Sequence, residues 1–232
     1  ALLTSNANSN SIDRSTITNA SLTAALTISC SSWNAVTWGF VRNTGGHGAY
    51  LTSGSKYNTI GQSTITSAGA NYRALYLSDA SSNTVTQSYI AHASSGDAAY
   101  IADNSHYNTL SLSTITVNYN AGYAYFVRAS SGNVLSGSMV SNPAGYAAFL
   151  AASAKYGTID QSTITTNSGS SAVYLDSATY NTLSRSYIGN PAGSGLTIGF
   201  YSHYNTVDRS TMTSARSNTK ALNLTGGENN TI

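Results

Sequence analysis

Three residues of this 232-residue chain combine reactive side chains with a regular spacing: Asp79, Asp103 and Arg128, separated by 24 and 25 residues. If that interval returns the chain to the same place, the two carboxylates stack about 5 Å apart, the distance between neighbouring strands. Carboxylates so close repel unless a proton or a cation sits between them. A guanidinium on the following turn would neutralise them or act as a base. The trio therefore suits proton transfer, or the binding of a hard cation such as Ca2+. No other cofactor or metal site is encoded. His47, His92, His106 and His203 lack the i, i+4 spacing of a helical metal pair, and no nucleophile elbow, zinc-protease, phosphate-cradling or dinucleotide motif is present.

A second set recurs at twice that interval. Lys56-Tyr57, His106-Tyr107, Lys155-Tyr156 and His203-Tyr204 each stand just before an Asn-Thr or Gly-Thr step. On stacked strands they would line one edge about 9.6 Å apart. Such a row could meet sugars by stacking and hydrogen bonding, or the flank of a neighbouring rod. Tyr50, Tyr76, Tyr100 and Tyr174, with Phe126 and Phe149, share another position of the period. They read as an outward aromatic stack, and as a carbohydrate platform if their faces are free. Arg73 and Asp97 are one interval apart and read as an ion pair.

The elements that position these residues follow from the repeat itself. An anchor recurs at Asn10, Asn34, Asn58, Asn83, Asn108, Asn133, Gly157, Asn181, Asn205 and Asn230, at spacings of 24 or 25 residues throughout. An aliphatic side chain stands two residues after every anchor, and Ser stands five after it everywhere except at Gly39. Each unit holds three short stretches of period two and no helical period. A unit of that size cannot bury its apolar side alone, so it must stack on its neighbours. The expected fold is all-β: a single-stranded parallel β-helix of nine to ten coils, running over residues 1–232 as one continuous solenoid. A finer period of two coils, 48–50 residues, alternates large and small inward residues (Leu26, Ala49, Leu75, Ala99). The repeated Asn is expected in a left-handed turn, bonding its amide to the next coil.

The pattern Tyr-Leu-x-x-x-Ser-x-Tyr-Asn-Thr-Ile-x-x-Ser-x-Ile resembles the right-handed parallel β-helix repeats of pectate-lyase-like and NosD-like proteins, and of long repetitive bacterial surface proteins. The resemblance covers essentially the whole chain. It implies a right-handed coil, and it admits lyases, hydrolases, adhesins and fibres alike. Only the Asp79, Asp103 and Arg128 trio is similar to the lyase sites of that class, which carry more acids and long walling loops.

Composition narrows the function. Charged residues make up 8% of the chain and the net charge is +2, so no bulk attraction to nucleic acid is encoded. No apolar run approaches the roughly 20 residues of a membrane span. One cysteine, Cys30, excludes an internal disulfide and reads as a small buried or semi-buried residue. Neither end carries an atypical capping segment, so the chain reads as a piece of a longer repeat protein, or as a unit that stacks end to end on further copies. The main expectation is a non-catalytic structural solenoid of an extracellular or cell-surface protein, an adhesin stalk or filament. The alternative is a polysaccharide-binding or polysaccharide-cleaving β-helix that uses the tyrosine face and the aspartate pair.

Overall fold

A computed structural model describes residues 1–232. Each repeat unit folds as three short strands, and every strand pairs in parallel with its counterpart one unit away. The first sheet has ten strands, from Leu2–Leu3 to Leu222–Leu224; the second has nine, from Ser11–Asp13 to Thr206–Asp208; the third has nine, from Thr16–Asn19 to Thr211–Ser214. The chain is thus the expected all-β parallel solenoid. No helix long and apolar enough to cross a membrane is present.

Period-two patterning decides which side chains enter the coil. In one coil Leu77, Val85 and Ile90 point inward from the three sheets, and in the next Ile101, Leu110 and Ile115 do so; all six are fully buried. The inward residues of the first sheet keep register, with Leu75 facing Ala99, Ala99 facing Tyr125, and Tyr125 facing Ala148; a shift falls only between Ser78 and Ala80, beyond the inward residues. The alternation of bulk lets successive layers interdigitate at interior packing density. Tyr125 is the largest fully buried side chain, and burial alone drives its phenol far above the ordinary tyrosine range.

Polar ladders hold the corners. Asn58 accepts at Oδ1 from the Asn34 backbone N–H (2.9 Å) and Nδ2 (3.0 Å), and donates from Nδ2 to Asn83 Oδ1 (3.0 Å) and to the Ser31 carbonyl (2.9 Å). The serines form a parallel file: Ser88 N–H donates to Ser113 Oγ, and Ser113 Oγ donates to the Ser111 carbonyl. One expectation is corrected here. The left-handed residue is not the asparagine but the one before it, as at Trp33 (φ 62°), Tyr57 (56°) and Tyr180 (57°), with a second at Gln62, Gln87 and Leu112 near 50°. The amide must point inward to reach its ladder, which leaves the corner to its exposed neighbour. A non-glycine residue there costs about 1–2 kcal/mol, offset by the hydrogen bonds the corner aligns. Cys30 occupies another such corner (φ 49°) and is exposed rather than semi-buried.

The ladder has one gap. Gly157 donates its N–H to Asn181 Oδ1 (2.8 Å) but offers no side-chain acceptor to Asn133, and a small cavity lies beside it, lined by Asn133, Leu150, Ile159 and Asn181. A Cβ at Gly157 would meet Asn181 Oδ1 at 3.0 Å, the movable end of an amide. Gly157→Asn should therefore complete the ladder and raise stability by about 1–2 kcal/mol, read as a higher midpoint in chemical denaturation.

Candidate functional site

The outer face of the first sheet carries the aromatic column together with Asp79, Asp103 and Arg128. Its strands Ala49–Lys56, Arg73–Ser81, Asp97–Ala102, Tyr125–Arg128, Ala148–Ala151 and Val173–Asp176 each send one aromatic residue outward. Tyr50, Tyr76, Tyr100, Phe126, Phe149 and Tyr174 stack in sequence with ring centroids 4.7–5.3 Å apart and planes within 15°. The expected aromatic stack therefore forms. Its ring faces are spent on one another, so only edges and hydroxyls reach solvent along its interior. Tyr100, covered on both sides, is 6% exposed.

A second file runs beside the ladder, one coil after another: His47, Arg73, Asp97, Tyr123 and Tyr146. His47 Nδ1 accepts the Arg73 backbone N–H (3.0 Å), Arg73 Nε donates to Asp97 Oδ2 (3.3 Å), and Tyr123 N–H donates to Asp97 Oδ1 (3.0 Å). Burial, and then the Arg73 charge, push the His47 imidazole down to about 4. Burial pushes the Asp97 carboxyl up, against the pull of Tyr123 N–H and Arg73.

The trio lies at the far end of the same strands. Asp79 and Asp103 both occupy left-handed corners (φ 53° and 52°), and Asp79 N–H donates to the Asp103 carbonyl at 2.9 Å, so they do stand on adjacent coils. Asp103 Oδ2 accepts from Tyr76 Oη (3.1 Å) and Ser78 Oγ (3.1 Å). Burial, with the Asp103 charge adding to it, pushes the Tyr76 phenol up. The Tyr100 hydroxyl beside Arg128, with Asp103 beyond it, holds that guanidinium above its ordinary range. Tyr76 thus joins Asp103, and Tyr100 lies beside Arg128, whereas Asp79 meets Asp103 only through its backbone. Sequence reading missed those connections, although both tyrosines stand one residue before the inward Leu77 and Ile101. A hard cation between Asp79 and Asp103 would draw further oxygens from backbone or solvent, since calcium takes roughly six to eight and Asp103 Oδ2 already accepts from two hydroxyls.

The basic–aromatic row lies on a different edge. Tyr57, Tyr107, Tyr156 and Tyr204 all occupy left-handed corners and are exposed. Their true neighbours are one coil away, not two: Tyr57 stacks on Trp33 (4.4 Å), and Tyr156, Tyr180 and Tyr204 stack in turn (5.2 and 4.9 Å). Trp33 and Tyr180 fill the same place before the anchor, a signal hidden from reasoning confined to the coils with the longer turn. Tyr107 stands unstacked over Gly132, where a Cβ would strike its ring. His106 and His203 are tied into the turn, each accepting a backbone N–H at Nδ1, from Ser131 and Glu228 (both 3.0 Å). Lys56 and Lys155 stay exposed, with Lys155 Nζ 6.0 Å from the Tyr156 ring.

This geometry coincides with a known sequence family, whose pattern, the right-handed β-helix region, matches residues 1–169. The chain belongs to the right-handed β-helix family. Comparison with curated protein sequences gives no match. Among solved structures, this β-helix resembles DFA-IIIase from Arthrobacter chlorophenolicus A6 in complex with GF2, with a TM-score of 0.64 and 12% identity over 85% of this chain and 56% of that one. It resembles the alginate lyase from Paenibacillus sp. str. FPU-7 with a TM-score of 0.50 and 14% identity, over 93% and 99% of the two chains. For the Dettilon tailspike protein the values are 0.50 and 11%, over 96% and 62%. The chain spans a little over half the length of the DFA-IIIase. At these identities the likeness is one of fold. It nevertheless corrects the expectation of a chain without catalysis, which rested on repeat uniformity, low charge, a lone cysteine and the lack of caps: two of these three structures are of enzymes on the same coil.

Proposed function

We propose that this β-helix binds a polysaccharide along the outer face of its first sheet and cleaves it at the Tyr76, Asp103 and Arg128 group. One observation carries the reading. In a chain where 8% of residues are charged, a carboxylate, two phenols and an arginine without a carboxylate partner within salt-bridge reach stand on three adjacent coils. Arg128 supplies positive charge for an acidic sugar, while Tyr76 and Asp103 share a hydrogen bond along which a proton can move to or from the sugar. The hydroxyl edges of Tyr50, Tyr76 and Tyr100, one per coil, would follow the chain of sugars. A glycan substrate of this kind favours an extracellular place of action.

Alginate, polygalacturonate and a neutral glucan, each incubated with the purified chain, provide the test. Retention in affinity electrophoresis reads binding; new reducing ends and unsaturated-uronate absorbance read cleavage. Asp103→Asn should lower product formation by about 100-fold or more with the melting temperature nearly unchanged. Neither retention nor product with any of the three polymers would overturn the reading.

A further inference from the structure

The file beside the aromatic ladder contains a gap. His47, Arg73, Tyr123 and Tyr146 are bulky, but Asp97 between Arg73 and Tyr123 is short and lies 7% exposed at the base of the file. Arg73 and Tyr123 thus stand two coils apart, about 9.6 Å at the spacing of strands, across a notch one coil wide. The stacking partners of Tyr123 are Phe126, Tyr146 and Phe149, all on its own coil or the next. No ring covers its other side, which looks into the notch. The far wall is equally fixed. Arg73 Nη1 donates to the Asn71 carbonyl (2.8 Å), Nε is held by Asp97, and the guanidinium carbon lies 5.6 Å from the Tyr76 ring centre and 4.9 Å from that of Tyr100. Nη2 remains free to donate. A surface depression is bounded by these groups, with Tyr119 and Ala121 on its rim.

We propose that this notch binds a single neutral pyranose residue of a glycan. One apolar face of the sugar stacks on the uncovered side of Tyr123, an arrangement for which a fixed ring with a polar surround is suited. Adjacent hydroxyls donate to Asp97, whose carboxylate oxygens each have a lone pair to spare. Nη2 of Arg73 donates to a hydroxyl oxygen on the opposite side. Arg73 and Asp97 cancel each other's charge, so the notch offers a uronate no net attraction, and a neutral hexose fits it better. The proposal rests on the reading of this face as glycan-binding. It adjoins the Asp103 group through Tyr76: the Arg73 guanidinium carbon lies 5.6 Å from the Tyr76 ring centre and the Tyr76 hydroxyl donates to Asp103 (3.1 Å), while Asp103 itself stands at the corner beyond the strand Asp97–Ala102.

Ala121 is exposed, so Ala121→Trp fills the notch without disturbing Arg73, Asp97 or the core. Tyr123→Leu removes the stacking face but keeps apolar cover over Phe149. The methyl glycosides of glucose, mannose and galactose serve as probes, titrated by saturation-transfer NMR. At least one should bind the unaltered protein at millimolar concentration, and both variants should weaken it by about tenfold or more, which is 1.4 kcal/mol. Arg216→Ala, an exposed residue far from this face, should change nothing. Absence of binding by all three glycosides, or binding indifferent to Ala121→Trp, would overturn the notch. Polysaccharide retention separates the two readings: retained polymer without a hexoside signal removes the notch alone, whereas an Ala121-sensitive hexoside signal without retained polymer supports the notch and removes the extended site.

Discussion

Asn108→Ala is expected to cost about 3–5 kcal/mol of stability. Asn108 is fully buried, and its Oδ1 accepts from the Asn83 N–H (2.9 Å) and Nδ2 (3.1 Å) while its Nδ2 donates to the Ala80 carbonyl (2.8 Å). Alanine leaves the Asn83 N–H without an acceptor and takes a donor from Ala80. Each buried group left unpaired costs about 1–3 kcal/mol, and the vacated volume adds to that. Because coils couple to their nearest neighbours, the loss falls on the interfaces to both sides. Chemical denaturation followed by circular dichroism reads the effect. In a Gly157→Asn background the two changes should depart from additivity by about 0.5 kcal/mol or more, since Asn108 donates to Asn133 Oδ1 and the new amide would accept from the same Asn133. An Asn108→Ala midpoint equal to that of the unaltered protein would show that the ladder is decoration.

Acid should destabilise the fold well above the pH at which carboxylates protonate. His47 has a folded value of about 4 against 6.5 when unfolded. Above pH 6.5 neither state binds the proton and the group contributes nothing. Between 6.5 and about 4 the unfolded chain takes up a proton that the folded one refuses, so stability falls as the pH falls. Discounted for the partial exposure of the ring, the loss is about 1–2 kcal/mol. His92 works in the same direction: burial lowers it, its Nδ1 accepts the Ser94 N–H, and its Nε2 faces the Gly69 carbonyl across the coil. Asp97, raised by burial, opposes the trend once it begins to protonate. Urea midpoints should therefore drop between about pH 7 and about pH 4.5, and His47→Gln, which keeps an acceptor for Arg73, should remove part of that slope. A flat profile in the unaltered protein would refute the assignment of these histidines as neutral.

The coil and its register were legible in the chain because both depend on periodicity. An aliphatic two residues after every anchor can be buried only if every unit superposes on the last, and a slip of one residue would turn Val85 or Leu110 outward. The vertical neighbours Arg73 and Asp97, and Asp79 and Asp103, follow from the same counting, as does the aromatic ladder. Counting along a coil places residues at a height and on a face, but it does not say which way a side chain turns. Tertiary structure alone decided that the corner strain falls on Trp33 and Tyr57 rather than on the asparagines, because only one of two adjacent residues can face the core. It also decided that the rings between Tyr50 and Tyr174 hide their faces in one another, that Tyr76 spends its hydroxyl on Asp103, and that the small Asp97 leaves one side of Tyr123 bare. Those outcomes rest on side-chain reach and on competition between neighbours for the same partner, and a repeat written in single letters carries neither.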